Sequence, residues 1–220
     1  MRRIRCPERC AIKTGRIVKL VVFLIAIQVT SASGKSLRIE DQNGTLLSNV
    51  IGTWKGKVTT KASTNEVAIV DQVDRQFVPH VKVIEQDQHV SFPNSDNIRH
   101  HVYSFSAPKT FEIKLYSGEP SEPVRFPNPG IVVLGCNIHD QMVGYIYVND
   151  GSEYSQSGKD GMLYVPDDVS EVTLWHPNLD LTQTTRKVVG LNADTTTVTL
   201  PLMVPTKPEP KTFGKRKFGG

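Results

Sequence analysis

The chain has 220 residues, enough for one large domain or two small ones with a buried core, and 26 Lys and Arg against 22 Asp and Glu give it a formal charge of +4. Seven of those basic residues and a single acid fall within residues 1–33, and the mature remainder holds 19 basic against 21 acidic residues. Residues 34–205 carry 14 basic and 20 acidic side chains, about −6, which excludes a basic nucleic-acid surface on the folded body.

The chain opens on the basic run MRRIRCPERCAIKTGRIVK, followed by ten apolar residues from Leu20 to Val29 and the small-residue stretch TSAS. Ser31 and Ser33 occupy the two positions a signal peptidase reads. Residues 1–33 are therefore predicted to be a secretory signal peptide, which places the mature protein in the periplasm. An uncut membrane anchor is the alternative, but ten apolar residues fall short of the roughly 20 that a spanning helix needs. No other segment has the length and apolarity to span a bilayer. Cys6 and Cys10 leave with this leader, so Cys136 becomes the only thiol of an exported chain. Such a thiol oxidises unless it is buried, paired with a second chain or coordinated.

Beyond the leader, strand signals dominate and helix-spaced apolar patterns are missing. In order the segments are KSLRIED, SNVIGTWKGKV, EVAIVDQ, HVKVIEQ, QHVSFPN, RHHVYSFS, KTFEIKLYS, GIVVLGC, MVGYIYVND, MLYVP, EVTLWHP, RKVVGL and TTTVTLPLMV. They are short, rich in Val, Ile, Thr and aromatics, and broken by turns such as DQNG and KDGM. This pattern predicts an all-β protein built from one or two sandwiches. Residues 74–149 read as one compact unit. Residues 36–70 read as the opening strands of an accessory sandwich, and 151–204 as its flanking continuation. Residues 205–220, with Pro205, Pro208 and Pro210 ahead of a Gly- and Lys-rich end, read as a disordered basic tail. No nucleophile motif, phosphate loop or acid–base pair stands out, so the expectation is a protein that is not an enzyme.

The chemistry concentrates in VVLGCNIHDQMVGYIYV, where Cys136, His139 and Met142 recur every three residues between two strand-like runs. A thiolate, imidazoles and a distant thioether suit a copper ion that only exchanges electrons, because the set serves both oxidation states. Cys-x2-His-x2-Met supplies three such ligands from one loop, and the fourth must come from another strand. His100 in SFPNSDNIRHHVYSFS offers it. Zinc is the competing metal, and would take Asp140 or water in preference to Met142. His80 and His89 lie in or beside strands with no partner at ligand spacing, and read as surface or edge histidines; His176 reads as packing with Trp175 in the flanking sandwich.

These segments resemble the cupredoxins, the small blue-copper electron carriers, and the ligand loop has amicyanin-like spacing. The resemblance implies a cupredoxin Greek-key β-sandwich plus a smaller flanking sandwich, with one type 1 copper per chain held by His100, Cys136, His139 and Met142. Cupredoxins place an Asn six residues before the first His ligand, as Asn94 is here, which implies a supporting role for Asn94. Where they have Asn after that His, this chain has His101, whose implied role is to hold or tune the ligand loop, since alternation lets only one of the two histidines face the metal. The combination is similar to periplasmic cupredoxin-like proteins labelled methylamine utilisation proteins, whose second sandwich resembles a carboxypeptidase regulatory domain. In this reading the cupredoxin unit is inserted within that second sandwich. The implied function is single-electron transfer between periplasmic redox proteins, a dehydrogenase donor and a cytochrome c or oxidase acceptor. The electron would leave at His139 through an apolar patch of Ile138 and Val143, with Pro127 and Pro129 as further candidates. The alternatives are a copper-handling protein without redox cycling and an envelope-binding module without metal.

Overall fold

A computed structural model describes residues 34–56, 66–120 and 122–204. The predicted signal peptide and basic tail lie outside these residues. Among the described residues there is no helix. The first strands are β1 (Gly34–Asp41), β2 (Ile51–Trp54), β3 (Ala68–Ile69), β4 (Asp71–Val73), β5 (Gln76–Val78) and β6 (Val81–Glu85). They are followed by β7 (His89–Ser91), β8 (His100–Ser104), β9 (Phe111–Tyr116), β10 (Val124–Arg125), β11 (Gly130–Gly135) and β12 (Val143–Asn149). The last are β13 (Glu153–Gln156), β14 (Met162–Pro166), β15 (Glu171–Trp175), β16 (Arg186–Gly190) and β17 (Thr197–Leu200).

Strands from both ends of the described chain share two sheets, in the orders β14-β1-β17 and β13-β2-β15-β16. Their facing sides enclose Leu37, Ile39, Leu163, Val165, Val172 and Leu174. The strands between β2 and β13 build a larger pair of layers. A five-stranded sheet, β6-β12-β11-β8-β9, is covered by β10-β7-β3 and by the β4–β5 hairpin, around a core that includes Phe77, Phe92, Phe126, Leu134 and Ile146. The observed class is the expected one: all-β, with two sandwiches of unequal size.

The two sandwiches meet face to face. Along β12, Tyr145 and Tyr147 point away from the larger core while Ile146 and Val148 point into it, as alternation requires. Tyr145 and Tyr147 pack with Val81 and Ile131 against Ile51 and Trp175 of the smaller sandwich. Both tyrosine rings meet the Trp175 indole edge-on, at 5.8 and 5.7 Å. The indole N–H donates to the Gln183 carbonyl, and the Gln183 amide donates to the Tyr145 hydroxyl. A strand buried on both faces reads as a continuous apolar run, and MVGYIYV is one. Gly144 has a packing reason within that run: a Cβ there would lie 2.7 Å from Cβ of Phe77.

Five strands differ from the predicted segments. EVAIVDQ divides into β3 and β4, and the short β5, β10 and β13 arise where no segment was predicted. With two to four residues each, they hold too few side chains to show a period.

His176 is buried at the end of β15, as its packing beside Trp175 predicts, while His80 and His89 are exposed. Its Nδ1 accepts the Asn178 amide and its ring also bonds the Ser48 backbone. Burial, reinforced by nearby His80, pushes its pKa down to about 4 from the usual 6.5. The unfolded chain therefore binds a proton here that the folded chain refuses, so stability is complete above pH 6.5 and falls towards pH 4. The group accounts for about 3 kcal/mol of that loss. Urea midpoints measured between these pH values should fall less steeply in His176→Asn, whose amide oxygen can still accept from Asn178.

Candidate metal centre

The loop joining β11 to β12 folds as two consecutive three-residue turns. The His139 amide donates to the Cys136 carbonyl at 3.4 Å and the Met142 amide to the His139 carbonyl at 2.9 Å. A three-residue repeat brings side chains three apart onto one side, which is why the Cys-x2-His-x2-Met spacing can present all three inward. The strands hold both ends of this loop, since Gly135 and Val143 are paired in the β11–β12 ladder.

His100 opens β8, next to β11 in the same sheet, and its side chain is fully buried. Its Nδ1 lies 3.8 Å from the Cys136 sulfur, and Nδ1 of His139 lies 3.7 Å from it. The two rings are 5.0 Å apart, and the three potential ligand atoms all lie within 4.8 Å of one another. Cys136 is a free thiol, 3% exposed; Met142 is 1% exposed and belongs to the same buried core. His139 is half-buried and lies between exposed Ile138 and Asp140. The donor set fits a copper or zinc ion. With a metal–sulfur bond of about 2.3 Å and metal–nitrogen bonds of about 2.0 Å in a trigonal plane, sulfur and nitrogen stand about 3.7 Å apart. Asp140, the alternative zinc ligand, is exposed and is not among the converging groups.

His101 points the other way. It shares the outer face of β8 with Tyr103, ring against ring at 5.5 Å, and its Nε2 bonds the Glu112 carboxylate at 2.9 Å. Alternation thus separates the two adjacent histidines, although both are buried. Asn94 is buried and fastens the segment before β8. Its amide donates to the carbonyls of Ile98 and Tyr116 at 2.9 Å each, and its oxygen accepts the Asp96 amide at 3.0 Å.

Asp96 is the residue that sequence reasoning missed. Its carboxylate bonds Nε2 of His100 at 2.7 Å. Burial pushes this carboxyl up, but the amides of Arg75 and Asp74 and the His100 ring outweigh it and hold the pKa below the usual carboxylate range. The available signal was its position four residues before His100 in a polar turn. Tyr116, opposite His100 in the β8–β9 ladder, is a half-buried phenol whose pKa is pushed up to about 12 by desolvation. It donates to the Phe92 carbonyl and accepts from the Gln72 amide.

Of the surface candidates, Ile138 is 49% exposed, and Val143 lines an open groove of about 590 Å³ with Tyr103, Phe105 and Val133. Pro127 and Pro129 do not belong beside His139. They precede the six-residue strand β11 and Cys136 follows it, a separation of about 20 Å along an extended chain.

No family model matches this chain, and no curated protein matches it. Among solved structures it is similar to the copper-containing nitrite reductase of Thermus scotoductus SA-01, at 26% identity and a TM-score of 0.37, over 44% of this chain and 25% of that one. The matched part thus spans about a quarter of that reductase's length. It is also similar to a reduced Cu(I) amicyanin variant, at 15% identity and a TM-score of 0.35, over 44% of this chain and 91% of that one. A purple cupredoxin from Nitrosopumilus maritimus aligns at 18% identity and a TM-score of 0.34, over 37% and 99% of the two chains.

Replacing Asn94 with Ala removes the partners of two carbonyls and one amide around the His100 segment. The expected loss is about 2–3 kcal/mol of stability, read as a lower urea midpoint at unchanged slope.

Proposed function

We propose that this protein is an exported single-electron carrier of the type 1 copper class, with His100, Cys136, His139 and Met142 as the ligands. The observation that carries the reading is the convergence of the buried Cys136 sulfur with Nδ1 of His100 and of His139. When bound by a thiolate, two imidazoles and a thioether, copper supplies a one-electron couple whose two states need little ligand movement.

The chain's own part is to keep that ligand set dry and fixed. Cys136 and Met142 sit in the core that also holds Phe92, Phe126 and Leu134, which excludes water from the sulfur donors. The β11–β12 ladder anchors both ends of the loop, and a ligand set already in place has little to reorganise. His139, the least buried member, offers the route to a partner, with exposed Ile138 beside it. The partners in this reading are a periplasmic dehydrogenase as donor and a cytochrome c or oxidase as acceptor, met through small transient interfaces. The leader at residues 1–33 supports a periplasmic location. The arrangement also supports kinship with the cupredoxin-like proteins labelled methylamine utilisation proteins. Strands β1, β2 and β13–β17 then correspond to the carboxypeptidase-regulatory-like sandwich, with the copper unit inserted between β2 and β13.

Adding Cu(II) to the purified protein should produce an intense thiolate-to-copper absorption band with the narrow EPR splitting of a type 1 site. Ascorbate should bleach the band and oxidant restore it. A colourless site that holds only Cu(I) and releases it to an acceptor would instead establish a copper-handling protein. Cys136→Ser should abolish the band and lower copper affinity at least tenfold; full copper binding by that variant would refute the ligand assignment. Met142→Leu should keep the band, because the thiolate remains, and shift the midpoint potential upward.

A further inference from the structure

The turn between β4 and β5 reaches the candidate centre through one carboxylate. Asp74 and Arg75 both adopt left-handed backbone, with φ of 52° and 59°, a region that aspartate tolerates but that disfavours a long side chain such as that of Arg75. Their amides converge on Asp96. The Asp74 N–H donates to Oδ1 at 2.7 Å, and the Arg75 N–H to Oδ2 at 2.9 Å. The same Oδ2 meets Nε2 of His100 at 2.7 Å. Three groups therefore share two oxygens. Among side chains of this size only a carboxylate accepts at every one of these contacts, since an amide would set an N–H against one of them. Asp96 is itself held in place by Asn94, whose oxygen takes its amide at 3.0 Å.

An imidazole that donates from Nε2 keeps its lone pair on Nδ1, and in His100 that atom faces the Cys136 sulfur at 3.8 Å. The opposite tautomer would turn an N–H toward the sulfur and leave no lone pair for a metal. We propose that Asp96 is a positioning residue that ties the Asp74–Arg75 turn to His100, holding the imidazole in the Nε2–H form with Nδ1 free to ligate. The β4–β5 hairpin contributes no atom to the cluster, yet through Asp96 it governs the orientation of one ligand. This deepens, and rests on, the reading of the cluster as a metal centre.

Two measurements test it. In the 15N-labelled, metal-free protein at about pH 8, above the ordinary histidine range of roughly 6.5, long-range 1H–15N correlations of His100 should show a protonated Nε2 and a bare Nδ1. Finding the proton on Nδ1 overturns the proposal. This arm needs no metal, so a protein that fails to bind copper would sink the function reading and leave this one decided on its own. The second arm uses Asp96→Ala, with its fold checked by near-ultraviolet circular dichroism. Cu(II) affinity should fall about 10- to 100-fold, the thiolate-to-copper band should move, and the Asp74 and Arg75 amides should exchange with solvent at least tenfold faster. Affinity and band position equal to those of the parent overturn the positioning role, and unchanged amide exchange overturns the link to the turn. Should the variant not fold, the tautomer measurement on the parent decides the proposal.

Discussion

The β11–β12 hairpin is buried on both faces, and most of the architecture follows from that constraint. One face supplies Leu134, Ile146 and Val148 to the larger core; the other supplies Ile131, Tyr145 and Tyr147 to the contact with Trp175. A hairpin gripped from two sides has little freedom to slip, because a one-residue shift would exchange the two apolar sets. Its unbroken pairing from Gly130–Val148 to Gly135–Val143 therefore sets where Cys136 emerges and where the chain must return. The seven residues from Cys136 to Met142, which carry three of the donors, are held at both ends by this ladder.

Each remaining piece of the candidate centre is attached to that frame by a separate device. β8 places His100 beside β11, although only Gly135 and Tyr103 pair between those strands. The close fit there is visible at Gly135, where a Cβ would lie 2.7 Å from the Tyr103 ring. Polar groups finish the job that strand pairing leaves open: Asn94 folds the segment before His100, and Asp96 meets the imidazole on its far side. The site combines apolar burial of the sulfur donors with hydrogen-bonded control of an imidazole. The two do not compete, because Nε2 of His100 has its partner and only Nδ1 is left towards the cluster.

The second sandwich has a physical role whatever else it does. Its Ile51 and Trp175 cover a sheet face that would otherwise expose two tyrosines, Val81 and Ile131. Burial of Trp175, fully shielded from solvent, makes this one of the costliest positions to truncate, at about 3–5 kcal/mol for an alanine. His176 is buried along the same region, and its lowered pKa reflects the poor hydration available there.

Period-two alternation and turn residues were enough to read the all-β class, because β-branched runs bounded by Gly, Asn and Pro have few other uses. The spacing of Cys136, His139 and Met142 was equally legible, since a loop with a three-residue repeat is a local property. His100 was reachable through the resemblance, from the position of Asn94 six residues before it. Asp96 was not, because the meaning of a carboxylate in a polar turn depends on which imidazole and which distant amides arrive beside it. The outward direction of His101, its bond to Glu112, and the removal of Pro127 and Pro129 from the neighbourhood of His139 also required the assembled sheet. Local pattern determined which residues could act as donors; long-range pairing, which brings residues tens of positions apart within 4 Å, decided which of them meet.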